Sequence, residues 1–461
     1  MKDLTQGSIV AHIVQMAGVM VIGMVGQTLY YLVDLYFVSG LGPQAIAGVG
    51  AAGNITFVVL ALTQILNVGT AALISHAAGR KDQPDANRVF NQSLVLSALV
   101  GAFVLIAGYL LTRPYLDAVG ADAGMRQAGV TYLYWFMPGL ALQFAMISMG
   151  AALRGTGIVR PTMTVQLLTV LLNVALAPVL IAGWGTGHAF GVAGAGLAST
   201  LAIIAGVIML TWYFERLETY VAFHREQWRP QLVYWKRILN IGLPAGGEFF
   251  LMFLMMGLMY WLIRDFGSQA QAGYGIGSRV MQAIFLPAMA VAFSAAPVAG
   301  QNFGARRAER VRETFRAAVL IETGIMAVIL MLCQIAPASL IAAFTHEPQV
   351  MAVGTDFLRI ISWNFIGSGI IFTCSGMFQA MGNTWPALLS GVSRLLIFSI
   401  PAIWLSRQPG FTLRQVWVTS VVTVLIQAVV SFVLVRREMR TRLAFVTPPS
   451  TPALAPALPA E

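Results

Sequence analysis

The sequence predicts an all-α membrane protein of twelve transmembrane helices, arranged as two six-helix lobes related by a parallel pseudo-twofold repeat. Three observations carry that expectation. The 461 residues are 58% apolar and only 10% charged, whereas soluble domains carry about a quarter charged residues. The basic residues collect in alternate loops. The two halves of the chain align at one constant offset.

Apolar stretches place the helices near 13–38, 46–75, 91–112, 127–152, 162–182, 190–214, 238–263, 270–298, 316–337, 350–377, 386–405 and 414–435, and a bilayer needs ~20 residues per span. Pro161 to Phe214 contains no Asp, Glu, Lys or Arg. It is too long for one span, and Gly183-Trp184-Gly185-Thr186-Gly187 divides it into two. No cleavable leader is expected, because the first apolar stretch runs on past Asp34.

The formal net charge of +10 is a topology signal rather than a nucleic-acid surface. With the N-terminus inside, twenty Lys and Arg fall in cytoplasmic segments and six on the other side, leaving Arg279 and Arg394 within helices. This positive-inside bias predicts that both termini are cytoplasmic, and a bacterial inner membrane is the expected location. Membrane lipids are the expected surroundings, nucleic acid is not an expected partner, and a monomer is expected. Cys333 and Cys374 both fall in predicted helices and suggest neither a disulfide framework nor a metal site. The expected organisation is a first lobe at 1–215, a cytoplasmic linker at 216–237, a second lobe at 238–437 and a tail at 438–461. The Pro/Ala-rich end from Thr447 reads as disordered.

The repeat has an offset of 225 residues. Gly42-Pro43-Gln44-Ala45-Ile46-Ala47-Gly48-Val49-Gly50 aligns with Gly267-Ser268-Gln269-Ala270-Gln271-Ala272-Gly273-Tyr274-Gly275, with six identities in nine. Gly79 and Phe90 align with Gly304 and Phe315, and Gly157 and Pro161 with Gly382 and Pro386. Six helices per repeat leave both halves in the same orientation, so their axis runs along the membrane normal. Two lobes around a central cavity favour a transporter over a duplicated structural scaffold or passive channel.

Several segments resemble one family. Asp34-Leu35-Tyr36-Phe37-Val38-Ser39-Gly40-Leu41-Gly42 is similar to the first-helix signature of the multidrug and toxic compound extrusion (MATE) transporters. Leu153-Arg154-Gly155-Thr156-Gly157 resembles the turn after that family's fourth helix, and Gly191-Val192-Ala193-Gly194-Ala195-Gly196-Leu197-Ala198 the opening of its sixth. Gly242-Leu243-Pro244 resembles its seventh helix, and Gly300-Gln301-Asn302-Phe303-Gly304-Ala305 the end of its eighth. The resemblance implies a secondary active antiporter that exports organic, often cationic, drugs by alternating access, driven by protons or sodium. A sodium-coupled member and a lipid-linked-saccharide flippase of the wider superfamily are the alternatives.

Asp34 is the leading candidate for cation coupling. It stands eight residues before Gly42, ~12 Å from an expected helix end there. An acidic group at depth costs ~2.5–3.5 kcal/mol on insertion scales, so it should face a wet cavity. Gln27 lies nearly two turns earlier on a similar face, and Asn54, Gln64 and Asn67 of the second helix are candidates to complete a polar pocket. Each alone also reads as an interhelical hydrogen bond. Asn173 gains a coupling role from the resemblance, because a fifth-helix Asn helps form the family's first-lobe polar site.

Glu248, one turn after Pro244, is a candidate for a cationic substrate or coupling ion, or for an ion pair with Arg279 or Arg394. Met252 and Tyr260 are substrate-binding candidates in a Met- and aromatic-rich stretch suited to flat apolar cations, though most of that stretch must face lipid or pack. Glu322 is expected near an interface. The chain departs from the family pattern at Ala177, where a fifth-helix Asp is common, at Gly18-Val19, where the first helix usually has Pro, and at Ser368, near a tenth-helix acidic position. The fifth-helix Asp missing at Ala177 belongs to the proton-coupled branch. The depth and motif of Asp34 and the incomplete second-lobe sodium site at Ser368 nevertheless favour H+ over Na+ as the coupling ion. Asp34 corresponds to Met259 in the repeat, which places the acidic chemistry mainly in the first lobe.

Gly48-Val49-Gly50-Ala51-Ala52-Gly53 matches the dinucleotide pattern but opens a membrane helix and follows no strand, so it is packing chemistry. His346-Glu347 lacks the second His of a metalloprotease, with Val350 in its place. No enzyme activity, metal or cofactor is expected.

Overall fold

The computed structural model describes residues 1–120 and 122–445, with the side chains of 30–35 outside the description. Among the described residues twelve helical spans are long and apolar enough to cross a bilayer. The first lobe holds α1 (Ile9–Ser39), α2 (Pro43–Gly79), α3 (Gln83–Val119), α4 (Ala123–Gly155), α5 (Arg160–Ala182) and α6 (Val192–Arg216). The second lobe holds α7 (Leu232–Ile263), α8 (Ser268–Gly304), α9 (Ala308–Ile335), a short α10 (Pro337–Ala342) and α11 (Pro348–Ile361). It continues with α12 (Phe365–Ala380), α13 (Trp385–Ser406) and α14 (Leu413–Arg442). A 3-10 turn at Ser362–Asn364 joins α11 to α12, so the tenth span is broken where the sequence reads as one helix.

The repeat appears in the element boundaries. α2, α3, α4 and α5 begin at Pro43, Gln83, Ala123 and Arg160, and their counterparts α8, α9, α11 and α13 each begin 225 or so residues later, at Ser268, Ala308, Pro348 and Trp385. The turns match as well. Gly42 and Gly267 both have positive φ, as do Gly157 and Gly382, a backbone region open to glycine at no steric cost.

Helix starts are specified locally. Asp82 accepts from Asp85 N at the head of α3, and Asp122 from Met125 N at the head of α4. Proline occupies the first turn of α2, α3 and α5, where its missing N–H costs nothing. These caps extend helices beyond the apolar stretches, which is why α3 starts at Gln83 rather than 91.

Two expected boundaries move. The segment read as a 216–237 linker is helical from Leu232, because Arg237 pairs with Asp85 (3.1 Å) and anchors the head of α7 to α3. The rest of that segment is tied down by the amides of α3. Asn91 Nδ2 donates to Ala222 O, Asn91 Oδ1 accepts from His224 N and Trp228 Nε1, and Gln92 Oε1 accepts from Gln231 N. The tail read from 438 begins later, since α14 continues to Arg442, where Arg442 pairs with Glu438 (2.6 Å) and donates to Met381 O (3.2 Å). The end from Thr447 lies outside the described residues.

At the face holding the chain's start, the lobes interlock. Packing between membrane helices gains little from hydrophobicity and depends on close approach of small residues. Gly79 of α2 lies against Gln301 of α8, and Gly304 of α8 lies against His76 of α2, a reciprocal pair under the 225-residue offset. Gly242 and Gly246 of α7 pack on Ile65 of α2. His76 Nε2 donates to Ala380 O of α12 (2.6 Å). Residues 1–8 cross this seam: Lys2 N donates to Thr156 O of the first lobe (2.9 Å). Leu4 N donates to Gln301 Oε1 (2.9 Å) and Arg307 Nη1 to Thr5 O (2.7 Å), both in the second.

Candidate functional site

The candidate residues fall into separate groups rather than one pocket. Gln27 of α1 accepts a hydrogen bond from Gln166 Nε2 of α5 (3.0 Å). Gly23 and Gly26 let α1 approach Met163 and Leu167 of the same helix. The two helices run parallel in this register. Asp34 stands seven residues beyond Gln27 and Asn173 seven beyond Gln166, so the backbone brings Asp34 and Asn173 to one level. Asp34's side chain lies outside the described residues. α1 ends at Ser39 rather than near Gly42, which puts Asp34 ~7.5 Å from the helix end instead of ~12 Å. Asn173 is fully buried, donates to Ser199 Oγ at 3.4 Å, and its Oδ1 has no partner among the described residues.

Asn54 belongs to another contact. Its Nδ2 donates to Tyr115 OH of α3 (3.1 Å), which in turn donates to Ala51 O, so it ties α2 to α3. Gln64 and Asn67 lie further along α2. Asn67 Nδ2 donates to Gln64 Oε1 (2.9 Å), and Asn67 Oδ1 accepts from Arg154 Nη2 of α4 (2.7 Å). Arg154 also stacks over Phe293 of α8, 5.7 Å from the ring centroid. This contact joins the lobes through a cation and a ring face.

Glu248 faces a crevice between α7, α8 and α12. Its Oε2 accepts from Ser375 Oγ (2.8 Å), and Gln379 Nε2 approaches the same hydroxyl (3.5 Å). Phe249, Met252, Met289, Phe293 and Phe372 supply the apolar walls. The expected ion pair with Arg279 or Arg394 is absent among the described residues. A second, narrow crevice on the interlobe seam shares Phe293 and Gln379 with the first and is lined by Arg154 and Ser75. Met252 lines the Glu248 crevice. Tyr260 does not: two turns further along α7, its ring meets Tyr274 edge-on at 5.0 Å. Among the described residues no group of three His, Cys, Asp or Glu converges on a common point.

Sequence reasoning missed Arg154, Ser375, Gln379 and Phe293. Arg154 stood in view within the turn motif, and its offset partner is Gln379; both line the seam crevice. Chemically, the crevices offer a carboxylate satisfied by a single hydroxyl, set among ring faces and thioethers. That combination suits an organic cation: the charge offsets the cost of a buried carboxylate, the rings attract it, and Met adapts to shape.

The family model MatE matches residues 20–179 and 244–405. The chain is 24% identical over 387 residues to the probable multidrug resistance protein YoeA of Bacillus subtilis, covering 82% of each chain. It is 25% identical over 385 residues to the multidrug export protein MepA of Staphylococcus haemolyticus, covering 81% of this chain and 82% of that one. Among solved structures it matches a MOP superfamily transporter from Pyrococcus furiosus with TM-score 0.89 and 25% identity, covering 95% of this chain and 98% of that chain. The same values hold for a multidrug resistance MATE family transporter in an outward-facing conformation.

Proposed function

The chain belongs to the MatE family of multidrug transporters, and from that premise we propose that it is a secondary active antiporter exporting organic cations in exchange for protons. The observation that carries the reading is the Glu248 crevice, with its carboxylate among Phe249, Phe293, Phe372 and two methionines. Coupling is assigned to Asp34 with Asn173, on the matched register of α1 and α5. A proton on Asp34 cancels its charge, and the removal of a charge within the membrane is worth enough to bias one lobe arrangement over another. Asn173 Oδ1, fully buried and without a partner among the described residues, is a ready acceptor for a protonated acid.

With both termini in the cytoplasm, as the positive-inside bias supports, the interlocked seam closes the cytoplasmic face. The protein then stands outward-facing, and export requires the seam of α2, α7 and α8 to part. Substrate would enter from the cytoplasm, meet Glu248, and leave when the lobes close again behind it.

The test is transport of a fluorescent cation into inverted vesicles, with proton and sodium gradients imposed separately. Proton-driven uptake is expected in the wild type and lost in Asp34→Asn. Glu248→Gln should raise KM for cationic substrates and leave neutral ones little changed. Unchanged proton-driven uptake in Asp34→Asn overturns the coupling assignment. Uptake that follows sodium alone moves the protein to sodium coupling, and transport of a lipid-linked saccharide in place of cations would make it a flippase.

A further inference from the structure

A second buried carboxylate lies behind the wall of the Glu248 crevice. Glu322, midway along α9, is fully buried. It packs against α12 where Gly369 leaves it room: a methyl there would sit 3.1 Å from Glu322 Oε2. Thr373 Oγ1 of α12 is the neighbouring hydroxyl that acts on this carboxylate, yet among the described residues neither carboxylate oxygen nor that hydroxyl has a hydrogen bond of good geometry. The opposite side of α12 presents Phe372 and Ser375 to the Glu248 crevice. One helix therefore separates the two acids.

The repeat shows that packing does not require an acid here. Under the 225-residue offset, Glu322 corresponds to Ser97 and Thr373 to Ser148. In the first lobe these two serines, both buried, share a hydrogen bond of 2.5 Å. The neutral pair closes the same helix–helix contact with every hydroxyl engaged. The second lobe puts a carboxylate and a threonine in that place, and among the described residues their three oxygens lack a hydrogen bond of good geometry. A proton supplies what is missing: the acid O–H donates to Thr373 Oγ1, whose own proton stays free to donate onward. The exchange is balanced, since a carboxylate takes one proton from water to become the neutral acid.

Nearby charge does not explain the site. The helices packed on α9 carry His12 and Tyr36 on α1, Tyr274 and Arg279 on α8, Asp356 and Arg359 on α11, and Cys374 on α12. α1 also carries Tyr30, Tyr31 and Asp34, whose side chains lie outside the described residues. His12 is bonded to Gln6 O at the start of α1. Arg359 O meets Gln334, twelve residues and ~18 Å further along α9. α8 meets α9 around Ala290 and Ala295, and Arg279 is eleven residues, or ~16 Å, before that level. Asp34 is fourteen residues beyond Met20, which shares that level, or ~21 Å along α1. Cys374, a buried free thiol, is the neighbour of Thr373 in sequence.

We infer that Glu322 is a proton-binding site of the second lobe, whose occupancy sets how α12 seats on α9 and so shapes the wall of the Glu248 crevice. The inference rests on the reading of that crevice as the cation site. The 3-10 break at Ser362–Asn364 gives α12 a pivot at its head. Gln334 of α9 holds that break through Ser362 Oγ (2.7 Å) and Arg359 O, so movement concentrates on the Glu322 level.

The test is infrared difference spectroscopy of the full chain in lipid nanodiscs between alkaline and acidic buffer, with tetraphenylphosphonium binding measured in parallel. Carboxylic C=O absorption should grow on acidification, with one component lost in Glu322→Gln and retained in Asp34→Asn and Glu248→Gln. Glu322→Asp, which keeps the proton, should retain a shifted band and guards against a folding defect. Tetraphenylphosphonium affinity should lose its pH dependence in Glu322→Gln. A spectrum that loses no component in Glu322→Gln, or a wild type without a titrating band, overturns the assignment. Failure of the wild type to bind tetraphenylphosphonium would instead overturn the cation reading of the crevice, and the band would still decide Glu322.

Discussion

Adding one methyl group at Gly79 or Gly304 should open the seam without unfolding either lobe. A Cβ on Gly79 overlaps the carbonyl oxygen of Gln301 and lies 2.8 Å from its carbon; one on Gly304 lies 2.8 Å from His76 Cα. Carbon atoms rest at ~3.5–4.0 Å, so α2 and α8 must separate by ~1 Å. The opposing atoms are backbone within helices and cannot turn aside. Overpacking of this kind costs ~1–3 kcal/mol, which shifts a two-state balance by ~5–150-fold toward the open seam. The two sites are reciprocal positions of one contact, and a single separation relieves both. The double variant should therefore cost less than the sum of the singles. Spin labels at Arg88→Cys and Glu313→Cys, exposed equivalents on α3 and α9, would report the separation by pulsed electron resonance once buried Cys333 and Cys374 are replaced. A longer distance population should grow in Gly79→Ala and Gly304→Ala, while Gly53→Ala, with open space around it, should leave the distribution unchanged. An unaltered distribution in both seam variants, with the protein folded, refutes the reasoning.

Two other outcomes follow from the same face. Asn91→Ala removes the donor and acceptor that hold Ala222, His224 and Trp228; at ~0.5–1.5 kcal/mol net per hydrogen bond, hydrogen exchange at 222–231 should accelerate by an order of magnitude or more, while exchange in α4 stays unchanged. Asp3 accepts from Thr5 Oγ1 (2.6 Å) and Thr5 N (2.9 Å), and the hydroxyl bond holds its carboxyl below the ordinary 3.8. A depressed carboxylate adds stability that is complete above that ordinary value and is lost as pH falls through the lower one. Asp3→Asn should thus speed exchange in residues 2–8 at neutral pH, and the difference from wild type should vanish only below pH 3.8.

The duplicated fold was legible because it is written in backbone-specific residues: Gly42 and Gly267 at positive φ, Gly79 and Gly304 at the crossing, Pro161 and Pro386 at helix heads. These signals are local, so a sequence carries them. Which polar residue meets which was not legible. Gln64 and Asn67 share a helix with Asn54, yet one group turns to Arg154 and the other to Tyr115, because the facing helices decide, and helical spacing says nothing of those. The break at Ser362–Asn364 was missed for a similar reason, having neither Gly nor Pro to announce it.

The register also explains why a duplicated scaffold makes an asymmetric site. Gln64, Asn67 and Arg154 of the first lobe correspond to Met289, Ala292 and Gln379 of the second. The first set forms a chain of amides ending in a guanidinium; the second lines the crevice beside Glu248. The amide chain reaches the second set only through Arg154, which lies over Phe293 of the crevice wall. A ligand that carries one charge on an apolar body can engage such a wall in several orientations, since ring faces and methionines impose little direction. Under the proposed function, broad selectivity would follow from divergence between the repeats. Restoring symmetry by Met289→Gln would test that, with affinity for apolar cations expected to fall and the seam left intact.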